Sequence, residues 1–289
     1  MGNIFEETKY ILKKYGITAN KSLGQNFLIN DHVVEKIIEG AEISKEDLVI
    51  EIGSGLGTLT KELLEKAGKV IAIELDKRMI EILTDRFGLY NNFELINEDV
   101  LKVNLEKIIP DNLKDNIKKA KIVANLPYYI TTPIIMKLLE EKLPIESITV
   151  MIQKEVADRL IDVPGGKNSG AITYAVYYYS EAQEILEVEP NSFIPEPAVD
   201  SKVIKLNIRK DKPVNIEDEN LIFDIIKYAF MQRRKTLVNA LEKSGLFKNK
   251  NDIVNILEKL EINTQIRGEA LSLEDFANIA SFVTNNAKI

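Results

Sequence analysis

Apolar positions over the first two-thirds of the chain fall into short runs separated by stretches with helical spacing. "LVIEI" (48–52), "KVIAIEL" (69–75), "FELINED" (93–99), "KIVANL" (121–126) and "SITVMIQ" (147–153) have strand length and are mostly apolar. Between them, "TLTKELLEKA" (58–67) sets Leu59, Leu63 and Leu64 on one helical face, and "KRMIEILTDRF" (77–87) repeats that spacing. "TPIIMKLLEE" (132–141) carries Pro133 in its first turn, where the missing N–H costs little. Alternating strands and helices with near-continuous apolar strands predict an α/β fold: a parallel sheet covered by helices on both faces.

The later pattern differs. "GGKNSG" (165–170) reads as a flexible loop, and "ILEVE" (185–189) and "KVIKLNI" (202–208) read as strands. The segment between them, "PNSFIPEPAVDS", has three prolines and is expected to be a stiff, extended crossover. Beyond about residue 210 the spacing is helical throughout, in "LIFDIIKYAFMQ", "KTLVNALEKSG", "NDIVNILEKL" and "SLEDFANIASFV". The polar stretch "NIRKDKPV" (207–214) fits a linker, which places one domain over 1–208 and a small all-helical one over 209–289.

Composition narrows the chemistry. The 289 residues contain no cysteine, which excludes disulfides, thiolate metal sites and cysteine nucleophiles, and a single histidine, His32, which leaves little support for catalytic triads or metal centres. His32 follows "LIND" at a helix start and reads as a partly exposed helix residue. No apolar stretch approaches a membrane span, and the N-terminus lacks a signal core or a myristoylation pattern, so a cytoplasmic protein without membrane attachment or metal is expected. The net charge of −7 argues against a nonspecific nucleic-acid coat. It is uneven, however: residues 1–205 carry 25 Lys+Arg against 33 Asp+Glu, and residues 206–289 carry 13 against 12. A local basic face remains compatible with phosphate contacts.

Two turns carry candidate chemistry. "VIEIGSGLGTLT" puts Gly53, Gly55 and Gly57 between a strand and a helix, where glycines permit a sharp turn and close ligand approach. A dinucleotide fingerprint would need glycine at position 58, which is Thr58. Glu74 closes the second strand, placed to accept ribose hydroxyls, and Asp99 closes the third. Glu51 precedes the turn, either as a carboxylate bonded to loop amides or as a ligand contact. Asp76 and Asp85 read as solvated helix charges. Acids and a G-x-G-x-G turn without a phosphate clamp suit a cofactor that has a ribose but no pyrophosphate. S-adenosylmethionine fits, its cationic sulfur being tolerated by nearby carboxylates.

The second turn, "NLPYYIT" (125–131), follows the fourth strand at the same sheet edge. An adenine amino nitrogen is a poor nucleophile because its lone pair is delocalised into the ring. The Asn125 side-chain oxygen and the Leu126 carbonyl would accept its hydrogens, Pro127 would hold them in place, and Tyr128 would stack on the base. Catalysis would then rest on positioning rather than on a neutral-pKa base. A proline turn with core aromatics is the plainer reading of the four residues alone, and Tyr129 is left open between packing and the site.

The motifs "KSLGQNFLIN", "EIGSGLGTLT", "ELD", "EDVL", "NLPYYIT", "FIPEPAVDS" and "FMQRRKTLVNAL" occur in the order found in the rRNA adenine N6-dimethyltransferases, and the chain resembles that family from about residue 15 to 245, most closely its small-subunit type. The resemblance implies a Rossmann-like, S-adenosylmethionine-dependent methyltransferase sheet with a helical C-terminal domain. It implies N6-dimethylation of two adjacent adenosines near the 3′ end of small-subunit rRNA, within an immature 30S subunit, by a monomer. It also implies that Asn26 and Leu28 line the cofactor pocket, that Gly53 and Gly55 approach the methionine part, and that Glu74 takes the ribose. Asp99 would take the adenine amino group, and Asn125 would lie between cofactor and target. Without the resemblance "LGQNFL" reads as a loop tied down by Leu23, Phe27 and Leu28. Arg233, Arg234 and Lys235 of "QRRKTL", at a helix start, are the candidate phosphate contacts, with Lys13, Lys14 and Lys21 near the N-terminus; singly, each also reads as a solvated surface charge. Three rivals remain: a large-subunit antibiotic-resistance methyltransferase, whose relatives tend to be basic and often read NIPY; a non-catalytic ribosome assembly factor; and a nicotinamide oxidoreductase, disfavoured by Thr58 and the lack of a catalytic histidine.

Overall fold

Each apolar run becomes a strand in the computed structural model, which describes residues 3–20, 23–114, 116–232 and 234–287. The chain opens with α1 (Ile4–Lys14), β1 (Phe27–Leu28) and α2 (Asp31–Ala41). Next, β2 (Asp47–Ile52), α3 (Thr58–Lys66), β3 (Lys69–Glu74), α4 (Lys77–Phe87) and β4 (Phe93–Asn97) alternate. The series α5 (Leu105–Asn112), β5 (Lys119–Asn125), α6 (Thr131–Glu140) and β6 (Ser147–Gln153) continues the pattern. Then come α7 (Lys154–Ile161), α8 (Ala171–Tyr179), β7 (Ser180–Val188), β8 (Phe193–Ile194) and β9 (Ser201–Ile208), and finally α9 (Glu219–Met231), α10 (Leu237–Leu241), α11 (Lys250–Lys259) and α12 (Leu273–Ala287).

The main sheet has the order β4-β3-β2-β5-β6-β9-β7. β4, β3, β2, β5 and β6 run parallel, but β9 pairs antiparallel with β6, Ser147 opposite Asn207 and Gln153 opposite Ser201. The sheet is therefore mixed rather than parallel. Apolar runs report burial, not direction, and a parallel β9 would need another long crossover of the kind a helix supplies. Strand β2 lies between β3 on one side and β5 on the other, so the connections diverge there. Such a switch point opens a crevice beyond the carboxyl ends of the strands. All six residues of β2 are buried, including Asp47, whose carboxylate accepts from the Ser44 amide at 2.7 Å and pairs with Lys121 at 3.1 Å. Partners of this kind are what a buried charge requires.

The chain divides into two compact units, residues 1–157 with 182–208, and residues 158–181 with 209–289. Residues 158–181, expected in the first domain, thus pack with the second unit. The reason lies in α8: Tyr174 is fully buried, its ring 5.4 Å from that of Phe230 and 5.3 Å from that of Phe276, and its hydroxyl donates to the Leu271 carbonyl at 2.5 Å. Tyr178 and Tyr179 both donate to the Glu219 carboxylate, at the start of α9. Large aromatic surfaces dominate such packing. Among the described residues no helix is long and apolar enough to cross a membrane.

Candidate active site

The glycine turn leaves β2 at Ile52 and enters α3 at Thr58, with φ of +72°, +55° and +83° at Gly53, Gly55 and Gly57. Side chains rarely adopt this left-handed region, so the glycines make the turn possible. The Gly53 amide donates to the Ile73 carbonyl at 2.9 Å, which ties the turn to β3. The Gly55 amide donates to Glu74 Oε2 at 2.9 Å, and the Asp76 amide donates to Glu74 Oε1 at 2.8 Å. Each carboxylate oxygen thus holds one backbone donor and retains capacity for another. Burial pushes the Glu74 carboxyl above the ordinary range, against the opposing pull of the Asp76 and Gly55 amides.

Glu51 stands one residue before the end of β2, 1% exposed, and accepts the Thr60 hydroxyl at 2.6 Å. It binds that hydroxyl from α3 rather than loop amides. Burial pushes its carboxyl up from 4.5 to about 7. The folded state therefore keeps the Glu51 proton up to about pH 7, whereas the unfolded chain releases it near the ordinary carboxylate value. This group's contribution to stability is complete below the unfolded pKa and is lost as pH rises through the folded one. Glu51→Gln keeps the acceptor for Thr60 and removes the charge. Relative to the unsubstituted protein it is expected to gain about 2–3 kcal/mol between pH 5 and pH 8, at roughly 1.4 kcal/mol per unit. Urea unfolding at the two pH values measures the difference, and parallel behaviour of both proteins would refute the assignment.

The segment 23–28 crosses the mouth of this turn. Gln25 Nε2 donates to Asp76 Oδ2 at 2.9 Å, while Gln25 Oε1 accepts the Asn20 amide at 2.9 Å. Asp76 is not a solvated charge: it is 8% exposed, caps α4 through the Arg78 amide and pairs with the Arg78 guanidinium, which holds its carboxyl below the usual range. Asp85 is exposed, as read, and pairs with Lys14. Asn26 Nδ2 donates to the Gly24 carbonyl at 3.3 Å. Phe27 and Leu28 form β1, which pairs antiparallel with Ile194 and Phe193 of β8. The expected crossover thus contributes a short strand that anchors the loop. Arg86 donates to the Leu56 carbonyl in the glycine turn and pairs with Glu7, so α1 is tied to the same turn.

Asn125 is the last residue of β5. Its Nδ2 donates to the Asn26 carbonyl at 3.5 Å, a long bond, and the residue lines the cleft. Leu126 is 1% exposed and its amide donates to the Met151 carbonyl at 3.1 Å. The Pro127 carbonyl accepts both the Ile130 amide and the Thr131 hydroxyl at 3.2 Å, which locks the turn from behind. The Tyr128 hydroxyl bonds Ser201 Oγ at 2.7 Å. Burial pushes the Tyr128 phenol up.

One cleft is lined by Asn26, Leu28, Gly53, Gly55, Glu74, Asp99, Asn125, Leu126, Pro127 and Tyr128, so residues from five separate segments meet. Asp99 follows β4 by two residues, and its Oδ1 accepts the Leu101 amide at 3.0 Å. The cleft is also lined by Phe27, Glu51, Leu75, Glu98, Tyr129 and Phe193. Of these, Leu75 had a signal in its place directly after Glu74, and Phe193 opens the "FIPEPAVDS" motif, though its place in the cleft follows only from the pairing of β8 with β1. Arg234 and Lys235 are exposed in the turn between α9 and α10, ahead of the helix start at Leu237. Arg233 and Lys21 lie outside the described residues. His32 is exposed on the first turn of α2, which Asn30 caps. No cluster of metal-ligating side chains occurs among the described residues.

The model of the ribosomal RNA adenine dimethylase family matches residues 16–285. The chain belongs to that family. The enzyme is 48% identical over 285 residues to the ribosomal RNA small subunit methyltransferase A of Lachnoclostridium phytofermentans, with 98% of each chain covered. It is 45% identical to the protein of the same name from Clostridioides difficile, covering 98% of this chain and 96% of the relative. Among solved structures, a dimethyladenosine transferase from Plasmodium falciparum superposes with a TM-score of 0.74 at 27% identity, covering 90% of this chain and 98% of that one. The 23S rRNA methyltransferase ErmE shares the fold, with a TM-score of 0.64 at 21% identity over 90% of this chain and 100% of that one. The enzyme is an S-adenosylmethionine-dependent rRNA adenine dimethyltransferase. Its cleft suits that donor: carboxylates sit at or just beyond the ends of β3 and β4, and the glycine turn lines the cleft in the left-handed backbone that side chains rarely adopt.

Proposed function

We propose that the crevice beyond β2, β3 and β5 holds the donor on its glycine and carboxylate side and the target adenine on its Asn125 side. The observation that carries this reading is that Glu74 with the Gly55 amide, and Asn125 with Leu126 and Pro127, line the same cleft. Bound S-adenosylmethionine supplies a methyl group on a cationic sulfur. The chain's own residues hold, orient and exclude water. Glu74 accepts the ribose hydroxyls, Asp99 accepts the amino group of the donor's adenine, and Asn26 and Leu28 cover the donor from the 23–28 loop. Gly53 and Gly55 let the backbone approach the methionine part.

On the target side, Asn125 Oδ1 and the Leu126 carbonyl accept the two N6 hydrogens. This draws the nitrogen lone pair out of conjugation and aims it at the methyl carbon. Because Pro127 and Thr131 fix the turn, the acceptors need no reorganisation when charge develops. The Tyr128 ring, held through Ser201, stacks on the base. As the N–C bond forms, the bond from the methyl carbon to sulfur breaks, its electron pair leaves with the sulfur, and the N6 proton is shed to water; no histidine lines the cleft. Carboxylates there favour a cationic ligand before transfer over a neutral one afterwards. The base must be presented unstacked, since a duplex hides the amino group.

The enzyme dimethylates small-subunit rRNA: its family is that of the ribosomal RNA adenine dimethylases and its relatives at 45–48% identity are named small subunit methyltransferases, which displaces the large-subunit alternative. In our reading it acts as a monomer in the cytoplasm on two adjacent adenosines of an immature 30S subunit, with Arg233, Arg234 and Lys235 contacting phosphates. Labelled methyl transfer to small subunits from a strain lacking the enzyme, followed by mapping of the modified nucleotides, tests this. Two adjacent dimethylated adenosines are expected; label confined to protein-free large-subunit RNA would overturn it.

A further inference from the structure

The two neighbouring tyrosines of the Asn125 turn differ in a way the mechanism above does not use. Tyr128 is half-buried and its hydroxyl is tied to Ser201. Tyr129 is 57% exposed and lines the same cleft. Its hydroxyl makes no hydrogen bond among the described residues. A lone exposed aromatic is ordinary on a protein surface; what sets Tyr129 apart is its place in the lining of the substrate cleft.

The ring is braced rather than loose. The backbone at Gly24 passes beside it with φ +59°, and a Cβ at Gly24 would stand 3.4 Å from Tyr129 Cδ1 and 3.7 Å from Pro127 Cβ. Glycine at 24 thus permits both the left-handed turn and the close pass along the ring. Behind it, the turn is locked by the bonds to the Pro127 carbonyl. The result is a positioned aromatic at the rim of a cleft that takes one base at a time, on an enzyme whose target adenosine has an adjacent base. A flipped-out nucleotide drags its neighbour to the rim, and that neighbour has lost a stacking partner.

We propose that Tyr129 is a stacking platform for the nucleobase adjacent to the adenosine in the cleft, a substrate-positioning residue that sets the hold on the paired target. This rests on the reading of the cleft given above. Aromatic–base stacking tolerates any base, so the platform serves whichever of the two adenosines is in the cleft.

The test compares Tyr129→Ala, Tyr129→Phe and Tyr129→Trp on small subunits from a strain lacking the enzyme, with label mapped at both adenosines and donor affinity measured by calorimetry. Tyr129→Ala is expected to raise KM for subunits by roughly 5- to 150-fold, the span of 1–3 kcal/mol of stacking. Donor Kd should be unchanged and kcat near that of the unsubstituted enzyme, and Tyr129→Phe and Tyr129→Trp should restore KM. A merely structural role would move donor affinity and kcat as well. Tyr129→Ala with an unaltered KM would overturn the proposal, as would Tyr129→Phe as impaired as Tyr129→Ala. An unsubstituted enzyme that transferred no methyl to these subunits would overturn the reading of the cleft itself.

Discussion

Replacing Asn125 with alanine is expected to lower the rate of methyl transfer by about 10²–10³-fold, the effect of removing one preorganised polar group from a developing charge. The loss should fall on the chemical step. Asn125 ends β5, where Leu126 and Pro127 are anchored independently through Met151 and Thr131, so the turn itself should survive. Binding to small subunits is then expected to persist, which would separate the catalytic role from any role in subunit assembly. Asn125→Asp retains an oxygen acceptor but gives up the Nδ2 donation to the Asn26 carbonyl, and should lie between the two. Single-turnover transfer with saturating donor is the measurement. A full rate in Asn125→Ala would place the acceptor elsewhere.

Glu74→Ala should act on donor affinity instead. Hydrogen bonds to a charged group are worth about 1.5–3 kcal/mol each. Loss of both proposed ribose contacts would therefore weaken donor binding by at least about 10²-fold. The substitution also leaves the amides of Gly55 and Asp76 without their acceptor, so the glycine turn loses its tie to β3 at that point. Calorimetric titration reads the affinity, and thermal unfolding without donor separates it from instability. Unchanged donor affinity in a folded Glu74→Ala would remove the ribose from Glu74.

How much of this was legible beforehand follows from what each signal encodes. Strands β2, β3, β5, β6 and β9 could be read because burial on both faces demands apolar runs, and a run is visible locally; β4 and β7, at the two sheet edges, are far less buried and could be read from shorter apolar stretches. The direction of β9 could not, because the same residues serve either orientation. Helix α8, "AITYAVYYY", carries residues that favour strands by intrinsic preference, and its packing against the rings of Phe223, Phe230 and Phe276 is what makes it a buried helix. In the cleft, Gly53, Gly55 and Glu74 were readable because a backbone turn and a strand-end acid impose residue types at fixed spacing. The bond from Gln25 to Asp76 spans 51 residues, and the tether on Tyr128 comes from Ser201, 73 residues away. Such long-range partners leave no trace in local sequence. The role of "LGQNFL" came from family resemblance alone.

The placement of α8 has a practical side. Because Tyr174 completes the interior shared by α9 and α12, cutting the gene at codon 208 would strand that ring on the wrong fragment. The remaining carboxyl-terminal peptide would display an oily socket, and co-expressed halves would be prone to clumping. A dissection that respects the molecule would have to excise 158–181 together with the tail and graft the two pieces through a new joint.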